Sequence, residues 1–184
     1  MKKGFTLIEL LVVVLIIGVL TAAASPYYEK AIWQSRNTQL KTAARSIVEA
    51  QRIFYMKTGK IPANFKTLGV SIPLKIVQTN AGINSNVCQL IVRKGAGVLE
   101  GENFIVVMNS GSETEGSSVA VWTKGKYKCN GFMWHVSGAE SSMLKCVEAR
   151  NGTSTIKQGE FCEDLEAGAF LRTQSGWTQF TLPQ

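Results

Sequence analysis

The sequence predicts an α+β fold in which one long N-terminal helix packs against an antiparallel sheet of about four strands. Three observations carry that expectation. The chain opens on a nearly unbroken apolar run from Phe5 to Ala24, "FTLIELLVVVLIIGVLTAAA". An amphipathic stretch follows it as far as Thr58, and the remainder holds short β-branched or aromatic runs separated by turn residues. With 184 residues, 45% of them hydrophobic, there is enough chain for one core plus an appendage.

The apolar run comes first. Its 20 residues give a helix of about 30 Å, enough to cross a bilayer core. Lys2 and Lys3 precede it, and the positive-inside rule puts that end in the cytoplasm and the bulk of the chain outside. Ala22-Ala23-Ala24 also fits the small-residue end of a secretory signal, so cleavage there competes with retention of the helix. Glu9 is the one charge inside the run. An unpaired carboxylate costs about 2.5–3.5 kcal/mol at the centre of an inserted helix and less towards its ends, so its presence calls for a partner.

Pro26 follows where the apolar stretch ends, and inside a continuing helix it removes one backbone hydrogen bond and bends the axis. Gly18 weakens the helix and permits close approach of another, so the stretch from Gly18 to Pro26 is a place for local unwinding. Beyond it, Ile32, Leu40, Ala43, Ile47, Ala50 and Phe54 form one apolar stripe, with Lys41, Arg45, Glu49 and Arg52 mostly off it. Gly59 is a stop signal and Pro62 lies just past it. A helix from Phe5 to Thr58 spans about 80 Å, so its second half must pack on something outside a membrane.

That partner is the sheet, assigned to residues 87–136. "NVCQLIVRK", "NFIVVMN", "SVAVWTK" and "YKCNGFMWHVS" read as strands; "GAGVLEGE", "SGSETEG" and Lys124-Gly125 read as the turns between them. Residues 60–86 read as a connecting loop, and "WTQFTL" near the C-terminus adds a short strand. Cys88, Cys129, Cys146 and Cys162 lie beyond the apolar run without a Cys-x-x-Cys pair. They read as two disulfides rather than a zinc site, with three connectivities open.

The formal charge is +7, from 20 Lys plus Arg against 13 Asp plus Glu, and the basic residues are scattered. Such a balance favours solubility and a mild attraction to anionic surfaces. Lys124, Lys126 and Lys128 alternate, which on a hairpin strand would turn all three to one side as a weak candidate nucleic-acid contact or a charged strand edge. Catalytic signals are missing. His135 is the only histidine, with no Gly-x-Ser-x-Gly elbow to serve; Gly95, Gly97 and Gly101 lack phosphate-loop spacing; Glu163, Asp164 and Glu166 fall short of a calcium loop. Asn151-Gly152-Thr153 is a weak glycosylation sequon. The reading is therefore not an enzyme, with no catalytic residue, metal or cofactor.

"KGFTLIELLVVVLIIGVL" resembles the type IV prepilin signature over about the first 30 residues. The resemblance implies a type IV pilin-like fold and a division into leader 1–4, transmembrane and assembly helix 5–25, and a globular head 26–184 that includes the amphipathic half-helix 26–58. It implies that a prepilin peptidase cuts between Gly4 and Phe5 and methylates the new amine of Phe5. It also implies that Glu9 pairs with the N-terminal amine of a neighbouring subunit. "LKCVEARNGTSTIKQGEFCEDLEAGAF" resembles the disulfide-bounded loop of pilins, which implies Cys146–Cys162 around residues 146–162 and leaves Cys88 to Cys129.

The function so implied is a structural subunit that waits as a single-pass protein of the bacterial inner membrane, in contact with lipid. It then polymerises into a helical filament of identical subunits, an extracellular pilus serving adhesion, twitching motility or DNA uptake. An assembly ATPase, an inner-membrane platform protein and an outer-membrane secretin are the partners implied. A type II secretion pseudopilin and a minor pilin acting as a DNA-binding competence receptor are the alternatives.

Overall fold

The computed structural model describes residues 5–62, 64–69, 74–77, 83–84, 88, 91–92, 98–110, 116–138, 141, 143–150, 154–174 and 176–183. The chain divides into two units, residues 1–36 and 37–184. Helix α1 (Leu7–Thr58) runs from the first into the second. It ends on the predicted residue, and Gly59 takes the left-handed conformation, φ 68°, that glycine reaches without a Cβ penalty. Pro26 lies inside the helix rather than at its end. Every residue from Phe5 to Ala31 is exposed.

In the second unit one stripe of α1 is buried: Asn37, Leu40, Ala44, Ile47, Val48 and Gln51. The spacings of three and four are those of one helix face. Leu40 and Ile47 belong to the predicted stripe, whereas Ala43, Ala50 and Phe54 are only half-buried. The observed stripe runs to one side of the predicted one because two of its members, Asn37 and Gln51, are polar.

Among the described residues the main sheet is built from β1 (Lys75–Val77), β4 (Val98–Glu100), β5 (Phe104–Ser110), β6 (Gly116–Trp122), β7 (Asn130–His135), β8 (Leu144–Ala149), β9 (Ala169–Gln174) and β10 (Trp177–Thr181). Their order is β1-β4-β5-β6-β7-β8-β10-β9, antiparallel throughout. β2 (Ile83–Asn84) and β3 (Ile91–Val92) make a separate pair. The sheet thus has eight described strands where about four were expected. It also reaches well beyond residues 87–136. β1 falls in the presumed loop 60–86, which also holds a 3-10 helix, Phe65–Leu68; β4 falls in "GAGVLEGE", read as a turn. Among the described residues of "NVCQLIVRK", Ile91 and Val92 form β3, outside the main sheet, and the C-terminal loop region supplies β8 and β9. Strands of two or three residues are too short to show alternation, and their partners rather than their own composition select them.

Alternation gives the sheet two faces. Ser118 and Trp122 of β6 turn towards α1: the Ser118 hydroxyl bonds Gln51 Oε1, and Trp122 Nε1 donates to Asn37 Oδ1 at 2.9 Å. On the other face Ile105, Val107, Val119, Val121, Val147 and Trp177 form a second core with Val98 and the Cys88–Cys129 disulfide. With both faces covered, β6 reads as a continuous apolar run, "VAVW", rather than as polar and apolar in turn. A π-helix, Glu160–Leu165, adds Phe161, whose ring lies 5.7 Å from Phe132 and 5.1 Å from Tyr127. Its Cys162 is bonded to Cys146 of β8. Both disulfides are those anticipated; in the chain-entropy model closures of 16 and 41 residues stabilise by roughly 3 and 4 kcal/mol.

Gly131 tests this packing. A Cβ there would lie 1.9 Å from the Ala120 carbonyl oxygen, a backbone atom that cannot swing aside. Gly131→Ala is expected to destabilise the head by about 3 kcal/mol or more, read as a lowered unfolding midpoint in denaturant. A midpoint within error of the parent would show that β6 and β7 do not pair as described.

Candidate functional site

The exposed apolar segment is the first half of the site. Between Phe5 and Leu20 thirteen large apolar side chains are exposed, from Leu11 at 53% to Leu7 at 82% among the leucines. At about 1.5 kcal/mol or more for each, keeping them in water costs on the order of 20 kcal/mol. That exceeds the roughly 5–15 kcal/mol by which a domain is stable, so lipid or other protein must cover this surface. One helix here is long and apolar enough to cross a membrane.

Glu9 has a partner within its own chain. Thr6 N and Thr6 Oγ1 both donate to Glu9 Oε2, at 2.9 and 2.6 Å, and Glu9 N donates to Thr6 Oγ1 at 3.3 Å. Thr6 immediately precedes the helix and Glu9 is its third residue, so the two form a capping box. It satisfies first-turn N–H groups that have no partner within the helix, which matters most where water is scarce. The carboxylate also sits at the positive end of the helix dipole. Both bonds from Thr6 fall on Oε2, so Oε1 lies outside the capping box. The pattern Thr-x-x-Glu ahead of an apolar run carries this signal in the sequence.

The second half of the site is how the head grips α1. Asn37 accepts from Trp122 and passes its own Nδ2 to Glu166 Oε1 at 2.6 Å; Lys41 pairs with Glu166 Oε2. The Lys41 ammonium also lies 4.6 Å from the centre of the Phe132 ring. Helix, sheet and C-terminal region therefore meet in one polar network. Behind it, buried Glu148 accepts from the backbone N–H groups of Gly159, Phe161 and Cys162 at 2.7, 3.0 and 2.8 Å, fixing the start of the π-helix. Neither Glu166 nor Glu148 stands out by spacing; their partners are distant in sequence.

Of the other residues singled out, Gly18 has open space where a Cβ would be, and Pro26 is exposed within α1. Gly4, Gly95, Gly97 and the sequon at Asn151 lie outside the described residues. Lys124, Lys126 and Lys128 are exposed but sit in the bends and turns between β6 and β7, so the period-two face expected of them does not form. Lys126 instead pairs with Glu160 at 3.1 Å, and that bond first of all raises its pKa. His135 is a strand residue opposite Ser117.

Comparison with known proteins gives a family match at the N-terminus and relatives over longer stretches. A family model described as a prokaryotic N-terminal methylation motif matches residues 1–25. The chain is 30% identical over 122 residues to fimbrial protein EcpC of Eikenella corrodens, covering 63% of this chain and 78% of that protein. It is 35% identical over 106 residues to fimbrial protein Q of Moraxella bovis, 54% of this chain and 67% of that one. With the type IV major pilin protein PilE1 of Neisseria gonorrhoeae it shares 36% identity over 73 residues, 40% of this chain. The chain spans less than half of that pilin, 44%. No solved structure matches the chain.

Two outcomes follow from these contacts. Thr6→Ala is expected to weaken the start of α1 by about 0.5–2 kcal/mol, seen as faster amide exchange at Leu7–Leu10 in detergent micelles, with Thr6→Ser close to the parent. Equal exchange in all three proteins would remove the capping box. Lys126 is held above the ordinary lysine pKa, so its contribution to stability is complete at pH values below that range and is lost as pH rises through the elevated value. The stability difference between the parent and Lys126→Gln, about 1 kcal/mol or less for an exposed pair, should stay flat from about pH 6 to 9 and shrink in strong alkali. A difference that grows with alkali would contradict the pairing.

Proposed function

The chain belongs to the type IV pilin family, and from that premise we propose that it is a filament subunit whose segment 5–25 first lies in the inner membrane and then forms the filament core. The observation that carries this reading is that every large apolar side chain from Phe5 to Leu20 is exposed. Lipid tails and neighbouring helices are similarly apolar, so moving between them changes the hydrophobic term little. Polar groups then decide register.

Prepilin peptidase removes residues 1–4 and methylates the amine of Phe5. Glu9, with Oε1 outside its capping box, takes the free amine of the adjoining subunit, and an ion pair replaces an anion stranded at a lipid boundary. Gly18 and Pro26 are where α1 can give way as subunits pack. The assembly ATPase, platform protein and secretin supply the work and the exit. The extracellular filament then serves adhesion, motility or DNA uptake. The Cys146–Cys162 closure supports a pilin ahead of a pseudopilin.

Glu9→Ala is expected to insert in the membrane at the parent's level but to lower the yield of sheared filaments about tenfold or more, with Glu9→Asp intermediate. Unchanged filament yield with Ala would refute the pairing role.

A further inference from the structure

After Glu9 no charged side chain occurs until Glu29, so residues 10–28 form an uncharged stretch that closes on Tyr27 and Tyr28, with Glu29 and Lys30 directly beyond. Both phenols are open, at 77% and 70% exposure. Consecutive residues of a helix point about 100° apart, so the pair does not make one stripe for a single neighbouring helix. It faces outward in two directions, as a surrounding layer requires. The hydroxyls along this stretch differ in the same sense. Thr21, deeper in the run, donates its hydroxyl to the Ile17 carbonyl at 2.8 Å and needs no outside acceptor. Among the described residues neither tyrosine hydroxyl has a hydrogen-bond partner, so each is left to donate to something outside the chain.

We infer that Tyr27 and Tyr28 are the outer interfacial anchor of α1, with their rings at the acyl boundary of a phospholipid bilayer and their hydroxyls donating to ester carbonyl and phosphate oxygens. At 1.5 Å per residue the pair stands about 5 Å past Ala24, the end of a run of about 30 Å that matches the hydrocarbon core, and so within the head-group layer. Helical side chains incline towards the N-terminus, which brings both rings back towards the lipid tails, where an amphipathic phenol is favoured. The inference rests on the reading of segment 5–25 as membrane-embedded and adds what sets its depth. An apolar rod as long as the core is thick slides a few ångströms at modest cost. The tyrosines remove that freedom. Glu9 lies 18 residues before Tyr27, about 27 Å along the helix. Phenols held at the outer boundary therefore keep the Glu9 carboxylate towards the inner edge of the core, where a charge costs less than at the centre.

The test is NMR of the full chain in nanodiscs of phosphatidylcholine and phosphatidylglycerol, reading the relaxation of α1 amides by a water-soluble gadolinium chelate. In the parent the amides of residues 10–24 should be shielded, with the outer edge of shielding at residues 25–28. Tyr27→Ala with Tyr28→Ala should spread that edge over roughly one further helical turn. Tyr27→Phe with Tyr28→Phe should draw the helix deeper, extending the shielding past Tyr28, and the paired Trp variant should match the parent. An edge that stays in place in both the Ala and the Phe variants overturns the anchor. If the Ala variant also lowers the yield of sheared filaments while its edge is unmoved, the phenols belong to contacts between subunits instead of lipid. Equal relaxation along residues 10–24 of the parent would overturn the membrane reading together with the anchor, whereas a shielded run whose edge ignores the tyrosines fails the anchor alone.

Discussion

The apolar surface between Phe5 and Leu20 is the constraint on which the rest of the molecule depends. Its exposure in water would cost more than a domain of this size gains by folding, so the first half of α1 must always have a cover. The chain meets this requirement by using one helix in two ways. From Phe5 to Ala31 every residue is exposed, and from Asn37 only a single stripe is buried. The first stretch is a surface to be shared with lipid or with copies of itself. The second is an ordinary core element.

The polar groups give that division its precision. Apolar packing alone would let α1 slide by a turn across the sheet, because many apolar registers are nearly equivalent. Asn37 bonded to Trp122 and Glu166, and Gln51 Oε1 bonded to Ser118, favour one register, since a slide by a turn breaks all of these bonds at once. Glu148 does the same for the C-terminal region, where three backbone N–H groups converge on one buried carboxylate. At the other end of α1 the Thr6–Glu9 box settles the first turn. Each of these polar contacts is a restriction placed on a surface that hydrophobicity leaves loosely specified.

Much of this was legible in the sequence, and the reason differs from element to element. The apolar run, Glu9 within it and Gly59 after it are local signals, and α1 ends where they place it. The disulfide pairing came from resemblance rather than from spacing. The sheet was underestimated because β1, β4, β8 and β9 either are too short to alternate or lie in stretches whose turn residues dominate. The lysines at 124, 126 and 128 were read as a strand by their alternation, yet they lie in turns. Asn37, Gln51, Glu148 and Glu166 were missed because their roles come from tertiary partners. The left-handed φ of 67° at Cys88 and 65° at Cys129 was equally hidden, since only glycine advertises that conformation.

In the proposed filament the apolar half of α1 is retained and becomes the inside of the polymer. Mass spectrometry of the N-terminus of subunits from purified surface filaments tests it most directly. Retention of the apolar half predicts a mature chain that starts at N-methylated Phe5 and keeps the whole apolar run. Subunits that start near Ser25 would have lost the apolar segment, and would show that it is a cleaved signal and not the polymer's interior.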